Sequence, residues 1–243
     1  MAVVLLLQLL LLAAAANAKA TGGGRSWVSS VRCFSQTQQN GENHEFNDAV
    51  VHLAAFDLDN TIESVKVTGM WIFYDHPDYN THEAGRVFWA FGIDFKGDVP
   101  YEYRNMATSL RYAGSPFELN KETWTVYDGT SFVGDYLYGV DDAPDLSYMS
   151  NKVSSIILTG SSPWTVYDGP GFSGNRVCLM PNAHDSGSYQ KLDLGIYPEP
   201  SYFMGNNRVR SLKKGCWYSK EVVGAKLEVL QQNANGAMGY IKI

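Results

Sequence analysis

Four seven-residue segments place oxygen-bearing side chains at matching positions. They are Asp59-Asn60-Thr61-Ile62-Glu63-Ser64-Val65, Arg104-Asn105-Met106-Ala107-Thr108-Ser109-Leu110, Ser150-Asn151-Lys152-Val153-Ser154-Ser155-Ile156 and Asn206-Asn207-Arg208-Val209-Arg210-Ser211-Leu212. Each has Asn second, an apolar residue fourth, Ser sixth and an aliphatic residue seventh. At the first and fifth positions, carboxylate, carboxamide and hydroxyl groups supply the hard oxygens that a calcium ion takes, whereas Arg104 and Arg210 cannot ligate a cation. The same residues have a second use, because Asn accepts left-handed turn geometry and Ser bonds to nearby backbone whether or not a metal binds. Other catalytic constellations are missing from the sequence. The five histidines are scattered without an HExxH spacing, no Gly-x-Ser-x-Gly elbow occurs, and Gly22-Gly23-Gly24 lacks the Lys-Ser/Thr of a phosphate loop. Asp141, Asp142 and Asp145 cluster between repeats, where a solvated surface, or added calcium contacts, fits better than paired catalytic acids. The chain is therefore expected not to be an enzyme.

The elements that must hold these segments are strands. WTVYDGTSFVG at 124–134 and WTVYDGPGFSG at 164–174 agree at eight of eleven positions, and a weaker copy, WIFYDHPDY, starts at Trp71. Alternating large residues followed by Asp, Gly or Pro, then an aromatic and a Gly, read as strand, tight turn, strand. The fourth copy is expected at Phe34 to Gly41, which matches the Tyr127 to Gly134 and Tyr167 to Gly174 spacing. The signature segments start 45, 46 and 56 residues apart, so the sequence reads as a fourfold repeat. Trp71, Trp124 and Trp164 recur at equivalent places and are expected in the core. Composition agrees: of 243 residues 45% are hydrophobic and 18% charged, with 15 Tyr, which suits a compact β-protein. The net charge of −6 makes a broad grip on a nucleic-acid backbone unexpected.

An aromatic-x-x-Tyr hairpin ending in Phe-x-Gly, followed by (Asn/Asp)-(Asn/Asp)-x-x-(Ser/Thr)-Ser, resembles the βγ-crystallin Greek-key motif and its calcium-binding variant. The resemblance spans about residues 30–216. It implies an all-β protein with two βγ-crystallin-like Greek-key sandwich domains in tandem, at 30–114 (motifs 1 and 2) and 122–216 (motifs 3 and 4), joined by a linker at 115–121. Residues 217–243 form a C-terminal extension whose alternation around Asn235-Gly236 predicts an added hairpin. By the same resemblance, the first position of one arch collaborates with the fifth of its partner. Asp59 with Thr108 and Asn206 with Ser154 are then usable metal sites, about one per domain. Arg104 opposite Glu63 replaces an ion by a salt bridge, and Ser150 opposite Arg210 is lost. So few charged ligands imply weak calcium binding, on the order of 10⁻⁴–10⁻³ M. The resemblance also puts Cys178 on the second strand of motif 4 and Cys216 just after its last strand. That gives a Cys178–Cys216 disulfide with Cys33 free or intermolecular, against three packed thiols as the alternative.

Val3 to Ala16 is an apolar run too short to span a bilayer, and Ala16-Asn17-Ala18 is a cleavage pattern, so residues 1–18 read as a signal peptide and 19–29 as a linker. No later stretch has the length of a transmembrane segment. The expectation is a secreted, extracellular, non-enzymatic protein that binds calcium and has a structural or binding role. The alternative is a defence, toxin-associated or matrix interaction protein that uses the same fold without calcium and engages an extracellular protein partner.

Overall fold

The computed structural model describes residues 28–184, 192–217, 220–223, 228–233 and 235–241. The expected signal peptide and most of the linker after it lie outside these residues. Among the described residues no helix is long and apolar enough to cross a membrane.

The first sandwich is built from β1 (Ser30–Gln36), β2 (Asn40–Phe46), β3 (Ser64–Tyr74), β4 (Val87–Asp98) and β5 (Ser109–Ala113). Two of these strands are long and change partners along their length. The first part of β3 pairs with β1 and with the end of β4, while its second part pairs with β5 and the start of β4, and the register shifts between Val67 and Gly69. One continuous strand thereby serves both layers, which is the Greek-key crossing. Its sequence explains this. SVKVTGMWIFY is almost uniformly apolar because both faces are covered: Trp71 and Phe73 enter the core between the layers, and Met70, Ile72 and Tyr74 enter a second core on the other side.

The second sandwich has a five-stranded sheet in the order β11 (Ala183–His184), β12 (Asp193–Tyr197), β8 (Ser155–Thr159), β6 (Thr123–Tyr127), β7 (Tyr136–Gly139). Facing it is a four-stranded sheet in the order β13 (Ser211–Lys214), β9 (Trp164–Tyr167), β10 (Arg176–Met180), β14 (Lys220–Val223). Trp124, Val126, Ile156 and Leu158 of the first meet Trp164, Val166, Leu179 and Leu212 of the second. All three recurring tryptophans, Trp71, Trp124 and Trp164, are buried. Between β5 and β6 the chain has no strand, and it carries Pro116 there.

The core on the other side of β3 is shared by the two sandwiches. Met70, Ile72, Tyr74, Trp89 and Phe91 pack against Tyr127, Phe132, Ile157, Leu194 and Ile196, so the tandem is fastened by an apolar face rather than by the connection alone. The extension forms the expected hairpin, β15 (Glu228–Asn233) and β16 (Gly236–Ile241), turning between Asn233 and Gly236. It lies on the first sandwich, where β16 pairs with β4 from Val87 to Gly92. Met238 enters the first core and Tyr240 stacks on Tyr103 at 5.1 Å. Gly92 and Gly236 sit opposite each other, and a Cβ at Gly92 would come within 2.1 Å of the Asn235 carbonyl oxygen. Only glycine tolerates so close a backbone approach.

Candidate functional site: paired arches in each sandwich

Each signature segment leads into the last strand of its unit, and its second-position Asn is left-handed, with φ of 54° at Asn60, 54° at Asn105, 60° at Asn151 and 57° at Asn207. Asn is among the few residues that take this geometry at small cost. The apolar fourth residues Ile62, Ala107, Val153 and Val209 are buried and anchor the turn. The sixth-position serines make the same two bonds four times. Ser64, Ser109, Ser155 and Ser211 donate to the carbonyls of Gln36, His76, Gly129 and Gly169, and accept from the amides of Gln39, Tyr79, Phe132 and Phe172. Each serine thus clasps a folded hairpin onto its arch. The fifth-position amides of Glu63, Thr108, Ser154 and Arg210 bond to the carbonyls of Phe34, Tyr74, Tyr127 and Tyr167. The Phe34 carbonyl thus accepts in the same way as those of the three tyrosines.

The arches face each other in pairs. The Asn60 amide donates to Ala107 O at 3.0 Å and the Asn105 amide to Ile62 O at 3.1 Å; in the second sandwich Asn151 donates to Val209 O at 3.0 Å and Asn207 to Val153 O at 3.3 Å. This reciprocal pairing sets the two arches of each sandwich against each other, and in the second it brings Asn206 to Ser154. The two places differ in chemistry. The Ser154 hydroxyl donates to Asn206 Oδ1 at 2.8 Å, so these oxygens satisfy each other. In the first sandwich Asp59 Oδ1 and Thr61 Oγ1 are buried and have no hydrogen-bond partner.

Residues 30–84 match the family model described as Beta/Gamma crystallin. Among solved structures the chain is similar to geodin, a βγ-crystallin from Geodia cydonium, with a TM-score of 0.56 and 19% identity, covering 77% of this chain and 99% of that one. The fold is that of the βγ-crystallins. Less similar are a βγ-crystallin from Ciona intestinalis (TM-score 0.31, 28% identity, 38% of this chain and 98% of that one) and the solution structure of protein S complexed with calcium (TM-score 0.29, 16% identity, 76% and 98%). No match was found among curated protein sequences.

Within this βγ-crystallin fold, the expected ion pair between Arg104 and Glu63 does not form. Arg104 Nε donates instead to Val99 O at 2.8 Å, and Glu63 accepts from the Asn105 side chain at 3.2 Å. The backbone carbonyl lies next to the Arg104 stem, and the carboxylate finds a nearer donor on its partner arch. Ser150 turns away from Arg210 and donates to Asp145 at 3.1 Å, and that carboxylate also accepts the Ser147 amide at 2.6 Å. Asp145 is thus the member of the acidic cluster that reaches an arch. Among the described residues no group of three or more His, Cys, Asp or Glu side chains could hold a metal. Any cation here would rely on mixed oxygen donors, and Asp59, Thr61 and Thr108 are of that kind. Sequence reasoning passed over Thr61; its signal is a hydroxyl two residues after the arch's only first-position carboxylate.

Cys178 on β10 and Cys216 beyond β13 form a disulfide with a Cα separation of 5.3 Å, and Cys33 is a buried free thiol whose pKa burial pushes up.

Proposed function

We propose that the chain is a secreted, non-catalytic calcium-binding protein made of four copies of one Greek-key unit, with its working ion site at the arch of Asp59. The observation that carries this reading is the buried Asp59 Oδ1 without a hydrogen-bond partner beside the equally unpartnered Thr61 Oγ1. Leaving a carboxylate oxygen buried and unpaired is costly, and a bound cation removes the cost. Asp59, Thr61 and Thr108 would hold the ion, which would cross-brace the two arches of the first sandwich. The four identical serine clasps support the fourfold reading. The apolar run from Val3 to Ala16 with its Ala16-Asn17-Ala18 pattern, read as a leader, and the disulfide support an extracellular location.

A second reading applies to the other sandwich. Because Ser154 and Asn206 already bond to each other, that arch pair closes without an ion and acts structurally. Both readings are tested by thermal unfolding of residues 19–243 in excess EGTA and in calcium chloride, beside Asp59→Ala and Asn206→Ala. Calcium at a hundredfold its dissociation constant adds about 2.7 kcal/mol per site. The expected result is a calcium-dependent rise in Tm that Asp59→Ala abolishes and Asn206→Ala leaves intact. A folded wild-type chain with no shift up to about 10 mM calcium, well above the range of weak extracellular sites, would reduce the arches to turn-builders.

A further inference from the structure

On the outer face of the first sandwich, one row of side chains crosses β2, β1, β3 and β4. Arg32 stands opposite Glu45 on one side and Lys66 on the other, and Lys66 stands opposite Lys96. Their neighbours along the strands, Val31, Cys33, Val65, Val67 and Phe95, enter the first core, so strand alternation turns Arg32, Lys66 and Lys96 outward together. Three cations at adjacent cross-strand positions repel one another. The face relieves this only in part: Arg32 pairs with Glu45 and Lys66 Nζ with Asp94 at 3.0 Å, while Lys96 has no ion pair among the described residues. The side chains are open to solvent, 46% exposed for Arg32 and 42% for Lys66, and Lys96 is exposed as well. Ion pairs so exposed are weak and rearrange readily around a ligand.

The three cations, with Glu45 and Asp94, line a mainly polar hollow of about 370 Å³, a volume within the range of pockets for small organic ligands. Three cations against two carboxylates leave a local excess of one positive charge, on a chain whose net charge is −6. We propose that this hollow binds a sulfated sugar. A sulfate monoester carries one negative charge and three terminal oxygens, which matches both the excess charge and the three donors. Glu45 and Asp94 would then accept from the sugar hydroxyls, since an ionised carboxylate only accepts. The same two carboxylates repel any further anionic group, which disfavours a run of acidic peptide side chains. A phosphate monoester, close to a dianion at neutral pH, brings more charge than the row balances. The site uses none of the arch residues and is independent of calcium.

The test titrates the ¹⁵N-labelled full chain in EGTA at about pH 7 with galactose 6-sulfate, beside galactose, galactose 6-phosphate and sodium sulfate at equal ionic strength. The expected result is a saturable shift of the Arg32, Lys66 and Lys96 amides with galactose 6-sulfate, and weaker binding of the other three. Lys96→Gln removes one donor and relieves the repulsion within the row. It should keep at least the wild-type Tm and bind galactose 6-sulfate about tenfold more weakly, as the loss of one hydrogen bond between charged groups implies. Lys152→Gln removes the same charge from an exposed position on the second sandwich and should leave the affinity unchanged. No saturable shift, equal binding of galactose, galactose 6-phosphate or sulfate, unchanged affinity in Lys96→Gln, or equal weakening in both variants would each overturn the proposal.

Discussion

At the scale of single residues, the sixth-position serines show how one hydroxyl organises a unit. Ser155 is fully buried and holds the Phe132 amide at 3.0 Å and the Gly129 carbonyl at 2.6 Å. Ser155→Ala would leave both backbone groups unpaired, at an expected cost of about 1–3 kcal/mol, read from the midpoint of urea unfolding. The tyrosines around Arg111 predict a pH dependence. Burial pushes the Tyr74 phenol up to about 12, although the neighbouring Arg111 pulls it down, and burial pushes Tyr127 up further. An unfolded tyrosine loses its proton near pH 10, so the unfolded chain ionises first. The stability tied to these phenols is therefore complete below about pH 10 and is lost as pH rises through about 12. Tyrosinate absorbance should rise together with loss of the far-UV β-signal; Tyr74 and Tyr127 ionising in a still-folded chain would contradict their burial.

At the scale of elements, two staples act on strands that are far apart in sequence. The disulfide joins β10 to the residue beyond β13 across 38 positions. By loop-closure entropy, Cys178→Ser is expected to cost about 4 kcal/mol, measured by equilibrium unfolding of oxidised wild type against the variant. The β15–β16 hairpin is the second staple. Because Met238 belongs to the first core and β16 completes the edge of β4, deleting residues 217–243 should destabilise the first sandwich rather than remove an independent appendage. Gly92→Ala is the finer probe, since its Cβ would meet the Asn235 carbonyl. A lower Tm in that variant, with increased hydrogen exchange at Val87 to Phe91, is the expected outcome.

At the scale of the molecule, the shared core makes the tandem one cooperative body. Residues 28–114 expressed alone would expose Met70, Ile72, Trp89 and Phe91 and would lack β16, so they should unfold at lower temperature and self-associate. In the whole chain, the apolar face predicts a single calorimetric transition. Two well-separated transitions would mean that the face contributes little.

The β-fold was legible in the sequence because its marks are local. A left-handed Asn, a clasping Ser and a buried residue between them leave a mark at fixed spacing, and alternating tryptophans and tyrosines mark the strands. That was enough to give the fold class, the added C-terminal hairpin, and the pairing of Cys178 with Cys216. The relations between units were not legible, because they depend on which faces meet. Nothing near Arg111 in the chain marks it as the buried cation between two sandwiches, since its partners Phe132, Gly134 and Tyr136 lie more than twenty positions away. The same holds for the arches. The sequence supplies similar oxygens to both pairs, but packing decides that Ser154 and Asn206 satisfy each other while Asp59 keeps a buried oxygen unpaired, and a hydrogen bond of 2.8 Å is fixed only when two arches are pressed together in space.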